Sequence, residues 1–297
     1  MSEPAPTRIG EYAQLACVLD VAAPKAGNVH LRAAFENINA ADFLVSAMVT
    51  APILDQAPDQ PLGRTILDAV RATVDAVGMN TNLGIVLLLA PLCKAGLEGD
   101  LRTRVATALE GLTMDDARDV YEAIRIANPR GLGSAAEHDV HDEPSVPLIE
   151  AMSLAAERGD AVARQYVNGF ADVFDRVLPD LEAALAAGLA YDEAMVLAHL
   201  KQMAREPDGL VRRKCGEDVA RQVQARAAAV VDGDWPRGDQ SGARFAAFDT
   251  WLRSENHERN PGTSADLVVA GVYAAQRLGR WRVPCPWAAS LLEGMDP

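Results

Sequence analysis

The chain has 297 residues, 49% of them apolar but only 5% aromatic, so a sizeable core must be built largely from small and aliphatic side chains. Such a core suits close helix–helix packing better than twisted sheets. The formal net charge of −14, with no basic run, excludes the cationic surface that a nucleic-acid binder needs to displace counterions.

Taken in chain order, the apolar spacing predicts helices throughout. Ile9, Ala13, Ala16 and Leu19 share one face of a first helix. Asn39 precedes a second, in which Ala40, Phe43, Leu44, Ala47, Met48 and Ala51 recur at helical spacing up to Pro52. A third is expected over residues 64–77, stopping at Gly78, and a fourth starts within Asn80-Thr81-Asn82. Residues 114–127 form the next, ended by Asn128-Pro129, and a long stretch follows Pro147 with a break at Gly159-Asp160. Residues 192–205 and 217–230 give two more, and Ser264 opens the last, which ends near Gly279. No strand alternation or fixed repeat appears, and no Ser/Gly- or Pro-rich linker divides the chain. The expected fold is therefore all-α: a single compact multi-helix domain over residues 1–297, with its active site in the inter-helix loops.

Cys17, Cys93, Cys215 and Cys285 lie far apart, with neither a zinc-ligand pair nor a disulfide framework. The N-terminal MSEPAPTRIG has no basic n-region or apolar core, so no signal peptide is expected. The most apolar run, residues 83–92, is too short to cross a bilayer. These features lead to the expectation of a cytoplasmic protein with neither nucleic acid nor membrane as partner.

Several connections are longer and more polar than ordinary helix–helix loops, and function is expected in them. In residues 24–30, Pro24 stiffens the chain, Gly27 permits close backbone approach, and Lys25 offers a charge suited to phosphate. Asn28 and His30 lie in the same loop, although an isolated histidine is as readily structural. Asn80, Thr81, Asn82 and Gly84 stand at a helix start, where exposed N–H groups attract anions. Asp42 either stabilises a helix start or faces a pocket with Ser46, one turn further on. The 260–266 segment, with Asn260, Gly262, Ser264 and Asp266, has a full capping explanation. It also has a functional one, in which Asp266 holds a cation or a sugar hydroxyl.

The acidic stretch 137–143, with His138 and His141, reads as a solvated loop ended by Pro144. If it holds a metal, Mg²⁺ through carboxylates suits it better than zinc. Arg212, Arg213 and Lys214 form the densest cationic cluster; either a neighbouring acid or a polyphosphate would relieve their repulsion.

Together these segments resemble the triphosphoribosyl-dephospho-CoA synthase family. That family has, in order, a Lys-Pro-Gly loop, a Phe-containing helix with a Ser, Asn-Thr-His-Lys-Gly, Arg-Gly-Gly and Asn-x-Ser-Pro-Gly-Gly-Ser-Ala-Asp-Leu. The matching stretches here are Lys25-Ala26-Gly27, Asp42-Phe43 with Ser46, Asn80-Thr81-Asn82-Leu83-Gly84, Arg213-Lys214-Cys215-Gly216 and Asn260-Pro261-Gly262-Thr263-Ser264-Ala265-Asp266-Leu267. They keep the family's order and cover most of the chain. The departures are Asn82-Leu83 for His-Lys, Ala26 for proline and Thr263 for glycine, with Glu206 and Asp208 for paired aspartates.

The resemblance implies an all-helical enzyme that displaces adenine from ATP by the ribose 2′-hydroxyl of dephospho-CoA or a related phosphorylated acceptor. It implies ATP as substrate and Mg²⁺ as cofactor, with Asp42, Asp266 and Lys25 as catalytic groups and the two aspartates as metal ligands. The remaining residues named in the loops would bind the nucleotide. The alternatives are another phosphorylated ribosyl or pterin-like cofactor precursor as acceptor, or a helical protein that binds nucleotide without catalysis. A homodimer is one assembly left open.

Overall fold

The computed structural model describes residues 8–129 and 140–281, and among these the fold is all-α. In chain order the helices are α1 (Ile9–Ala22), α2 (Ala40–Asp55), α3 (Leu62–Val77), α4 (Leu83–Lys94), α5 (Leu101–Glu110), α6 (Met114–Ala127) and α7 (Leu148–Glu157). They continue with α8 (Ala161–Asn168), α9 (Leu178–Ala186), α10 (Tyr191–Arg205), α11 (Gly209–Cys215), α12 (Glu217–Asp232), α13 (Ser241–Arg253) and α14 (Gly262–Arg277). The sole β feature among the described residues is an isolated bridge between His30 and Ala33. No helix among them is long and apolar enough to cross a membrane.

The chain falls into two compact units. Of the described residues, a central unit holds those from 8 to 18 and from 41 to 174; a terminal unit holds those from 19 to 40 and from 175 to 281.

In the central unit α3 packs on α6, and α4 on α3, α5 and α8. Gly63 makes the first of these contacts possible: a Cβ there would lie 2.5 Å from the Asp116 Cα. Asp116 uses both carboxylate oxygens at this crossing. Oδ1 accepts from Gly63 N at 2.7 Å, while Oδ2 accepts from Thr113 N at 2.8 Å as half of the α6 capping box. Buried α4 contains Pro91, which has no N–H for the carbonyl four residues back. That carbonyl, on Leu87, accepts instead from the buried Tyr166 hydroxyl at 2.7 Å. Burial also pushes the Tyr166 hydroxyl pKa upward. In α2 Ser46 and Thr50 are buried beside Ala47, Ala51 and Leu54 while Val45 and Met48 are exposed, so the inward face mixes polar and apolar side chains.

In the terminal unit α10 packs against α9, α12 and α14. Val196, Leu200 and Met203 of α10 join Val223, Ala227 and Val230 of α12 and Phe248 and Leu252 of α13 in one apolar cluster.

Several expectations shift. The stretch after Pro147 breaks more often than its periodicity predicts: α8 ends at Gly169 with φ 64°, Phe170 follows at φ 62°, and a π-helical turn, Val173–Val177, leads into α9. Residues 206–216, read as a loop, contain α11. Helix α14 starts at Gly262, two residues before Ser264, so its N-cap is Pro261, and Asp266 lies beyond the first turn. Helices α5 and α13 have no counterpart in the sequence reading.

Candidate active site

In the terminal unit three of the expected segments meet. The turn following α1 places Lys25, Ala26, Gly27 and Asn28 in the interior. The Lys25 ammonium is wholly buried: it donates to the Asp20 carbonyl at 2.5 Å and lies 2.9 Å from the Asp20 carboxylate. Burial raises the Asp20 pKa, and the neighbouring ammonium opposes that rise. Lys25 is thus engaged from behind the loop, with no exposed face.

Gly27 and Asn28 are held by side chains more than two hundred positions away. Asp249 accepts from Gly27 N at 2.7 Å, Arg253 donates to Asn28 O at 2.7 Å, and Asn260 donates to Gly27 O at 3.0 Å and to Asn28 Oδ1 at 2.9 Å. Gly27 has φ 72°, and a Cβ there would come within 2.9 Å of Leu252 and Pro261, so glycine is required on two counts.

The second segment, at α11, joins the third through one carboxylate. Asp208 Oδ1 caps α11 by accepting from Leu210 N at 2.9 Å and Val211 N at 3.1 Å. Its Oδ2 accepts from Ser264 N at 2.8 Å and Ser264 Oγ at 2.7 Å. Ser264 therefore donates into Asp208 rather than capping its own helix. Burial is the largest influence on Asp208 and raises its pKa against these donors. Further along α11, Lys214 donates to His257 O at 3.4 Å and sits 3.6 Å from Glu258. Arg213 is exposed and Arg212 half-buried.

His199 of α10 lies beneath these loops, fully buried, with Nε2 3.3 Å from Asn28 Nδ2 and 3.4 Å from Pro261 O. Burial, reinforced by the charge of Lys25, lowers its pKa to about 3, so the ring is neutral at physiological pH. His30 is neutral for a similar reason: burial first, then Arg253, lowers its pKa to about 4. Asn260, Gly262 and Asp266 are half-buried around the α14 start.

The central unit holds the other expected segments. Ser46 Oγ donates to Asp42 O at 2.7 Å and lies 2.6 Å from Thr81 Oγ1. Asn80 Oδ1 accepts from Asn82 N at 3.2 Å and Leu83 N at 3.0 Å, so Asn80 closes the start of α4, where Asn82 makes no side-chain cap. Asp42 is half-buried in the first turn of α2, and Gly84 half-buried in that of α4.

Among the described residues no three His, Cys, Asp or Glu side chains converge as a metal cluster. An ion held mostly by phosphate oxygens and water needs only one or two carboxylates; Asp42 in the central unit and Asp266 in the terminal unit are each a half-buried carboxylate. Of the acidic stretch, Glu137, His138 and Asp139 lie outside the described residues, as does Cys285; His141, Asp142 and Glu143 are exposed. Asp249, Arg253 and His199 were missed by the sequence reading. Phe245, Phe248 and Leu252 at helical spacing, with Asp249 and Arg253 four apart, would have revealed α13 and its charge pair.

A protein-family model described as "CitG: ATP:dephospho-CoA triphosphoribosyl transferase" matches residues 6–284. A Pectobacterium carotovorum protein named "Probable 2-(5''-triphosphoribosyl)-3'-dephosphocoenzyme-A synthase" is 27% identical over 238 residues, covering 79% of this chain and 70% of its own. The correspondingly named synthase of Pectobacterium atrosepticum is 26% identical over the same shares. A crystal structure from Archaeoglobus fulgidus, carrying the name triphosphoribosyl-dephospho-CoA synthase, superposes with a TM-score of 0.61 at 24% identity. It covers 80% of this chain and 100% of its own, a likeness of fold.

Proposed function

Because the chain belongs to the ATP:dephospho-CoA triphosphoribosyl transferase family, whose model spans residues 6–284, we propose that it transfers the triphosphoribosyl group of ATP to a phosphorylated, ribose-bearing acceptor, with dephospho-CoA the first to test. The acceptor's 2′-hydroxyl oxygen forms the new bond to ATP's ribose C1′, the bond from C1′ to adenine breaks, and adenine leaves carrying a proton. Positive charge builds at C1′ in the transition state, as in glycoside cleavage. The triphosphate stays on the transferred sugar.

The observation that carries this reading is the convergence of residues 25–28, 208–214 and 260–264 in one unit, through hydrogen bonds between matched segments. The triphosphate would be held there by Arg212, Arg213 and Lys214, with His30, Asn260 and Gly262 supplying neutral contacts, while Asn28 and Ser264, whose polar atoms are engaged within the loops, would shape the site. Lys25 would act through its charge from behind the loop, since its ammonium is tied to Asp20. In the central unit Ser46, Asn80, Thr81, Asn82 and Gly84 are the candidate polar contacts. Asp42 and Asp266 are the candidate general bases for the hydroxyl proton. Mg²⁺, when bound with ATP, would neutralise triphosphate charge, with Asp42 of the central unit and Asp266 of the terminal unit each, separately, a candidate ligand.

Incubation of the purified chain with ATP, Mg²⁺ and dephospho-CoA should release free adenine, read by chromatography. Adenine with a different phosphorylated ribosyl or pterin-like acceptor, but not dephospho-CoA, would move the reading to that acceptor. Mg-ATP should also raise the melting temperature, since ligand at 100 times its Kd adds about 2.7 kcal/mol. Adenine from no acceptor, with no shift on adding Mg-ATP, ends the transferase reading.

A further inference from the structure

Helix α13 carries one charge pair on the face opposite its solvent side, and that pair is directed at two backbone groups of a single turn. Arg253 Nε donates to Asp249 Oδ1 at 2.9 Å and Oδ2 at 2.8 Å, an i,i+4 pair fixed by the helix itself. The carboxylate then accepts from Gly27 N, and a second guanidinium nitrogen donates to Asn28 O, both at 2.7 Å. The N–H of Gly27 and the C=O of Asn28 are thus held by one ion pair, in which the Arg253 Nε–H is shared between both carboxylate oxygens. Asn260 holds the carbonyl between them.

Leu252 and Pro261 leave no room for a side chain at Gly27, but such packing is non-directional. A half-buried ion pair costs some desolvation energy and fixes peptide orientation in a way that packing cannot. The third guanidinium nitrogen, Arg253 Nη1, is buried without a hydrogen-bond partner. The cation is therefore not placed to maximise its own bonding; its position follows from the turn it serves.

We propose that Asp249 and Arg253 are positioning residues: they set the Gly27–Asn28 peptides, and with them the seat of Asn28 between Asn260 and His199 and the half-buried His30 side chain at the end of the turn, which would meet ligand. The proposal rests on the reading above that residues 25–30 serve the phosphorylated donor. It adds two residues, outside every matched motif, through which that loop is tuned.

The test compares Asp249→Asn and Arg253→Lys with Val230→Ala, a substitution in the apolar cluster beneath α13 that touches none of these groups. Asp249→Asn should lower kcat/KM for ATP by about 100-fold, the effect expected of a displacement near 1 Å, with kcat falling as well as KM rising. Arg253→Lys keeps the charge and loses the fork, so about a tenfold loss is expected. Val230→Ala should lower the melting temperature without changing kcat below it. Asp249→Asn within twofold of the parent in kcat/KM while folded would overturn the proposal, as would a Val230→Ala loss matching that of Asp249→Asn at equal stability.

Two further readouts separate this proposal from the functional one. Proton NMR of His30 should show its pKa rising from about 4 in Arg253→Lys if the turn has moved away from the cation, and staying put if it has not. Relaxation of the Gly27 amide should show new motion in Asp249→Asn. If the parent neither binds Mg-ATP nor releases adenine, the transferase reading fails while these signals still decide whether the pair holds the turn. Unchanged His30 and Gly27 signals in folded variants overturn the positioning role by themselves.

Discussion

In the terminal unit the turn at residues 25–28 is gripped by ions: Lys25 on Asp20 inside, Asp249 and Arg253 across Gly27 and Asn28. In the central unit the turn at 80–82 is closed by neutral groups, the Asn80 amide oxygen on two N–H donors and the Thr81 hydroxyl against Ser46. The first turn follows α1 and the second precedes α4, and both match the family's pattern; yet one uses charged groups, wholly or partly buried, while the other uses a local amide cap and a hydroxyl pair. Buried ions fix geometry but lose heavily when a partner is removed; neutral caps are worth about 1 kcal/mol each and tolerate substitution better. The terminal unit's site is therefore the more fragile of the two.

The largest test of that contrast is Asp208→Ala. It leaves Leu210 N, Val211 N, Ser264 N and Ser264 Oγ without their acceptor, and a loss of about 3–5 kcal/mol is expected in chemical denaturation. A loss below about 1 kcal/mol would mean that water replaces the carboxylate and that the site is less closed than described.

A paired glycine experiment comes next. Gly27 and Gly78 both have positive φ, 72° and 81°, but a Cβ meets neighbours at 2.9 Å in the first case and nothing within 4 Å in the second. Gly27→Ala should cost about 2–4 kcal/mol, from the left-handed backbone plus overpacking, and Gly78→Ala about 1 kcal/mol from the backbone alone. Equal melting shifts would erase the distinction between a crowded and an open turn.

The pH response is smaller over any single pH unit and has a definite sign. The folded-state pKa of His199 is depressed to about 3, so the unfolded chain binds the extra proton between pH 6.5 and about 3. Its contribution to stability is complete above pH 6.5 and is lost as pH falls through that window, at about 1.4 kcal/mol per unit. Asp20 and Asp208, whose pKa values are raised, act oppositely, since each favours folding more at lower pH. His199→Gln should flatten the acid limb of a stability–pH curve relative to the parent. An unchanged slope would show that His199 protonates without unfolding.

The smallest effect is expected in the central unit. Thr81→Val removes the Ser46–Thr81 hydrogen bond and should cost about 0.5–1.5 kcal/mol; a double-mutant cycle with Ser46→Ala isolates that term. A cost as large as that of Asp208→Ala would refute the idea that neutral contacts hold this turn more weakly than charge holds the other.

Much of the fold reads directly from local chemistry. Helix α6 runs over Met114–Ala127, bounded by a Thr113 capping box and by Asn128 in the left-handed conformation, and the sequence reading placed both ends correctly. Gly78 ends α3 for the same reason. Where the reading failed, the deciding term was not local. Residues 209–215 form a helix although three cations crowd it, because Asp208 caps it and α14 packs against it. Helix α13 was passed over because the glycine-containing polar segment before it and the scattered charges within it hide a modest apolar stripe, whose partners lie on α12.

By itself the sequence determined the all-helical class, most helix ends and the order of the motif-bearing loops, because caps, glycines and apolar period act within a few residues of one another. Only the tertiary structure decided that Ser264 donates to Asp208, that Lys25 turns inward to Asp20, and that Asp249 and Arg253 hold a turn more than two hundred residues earlier. Those choices depend on which buried donor finds which acceptor once water is excluded, a contest between distant groups that no window of neighbouring residues contains.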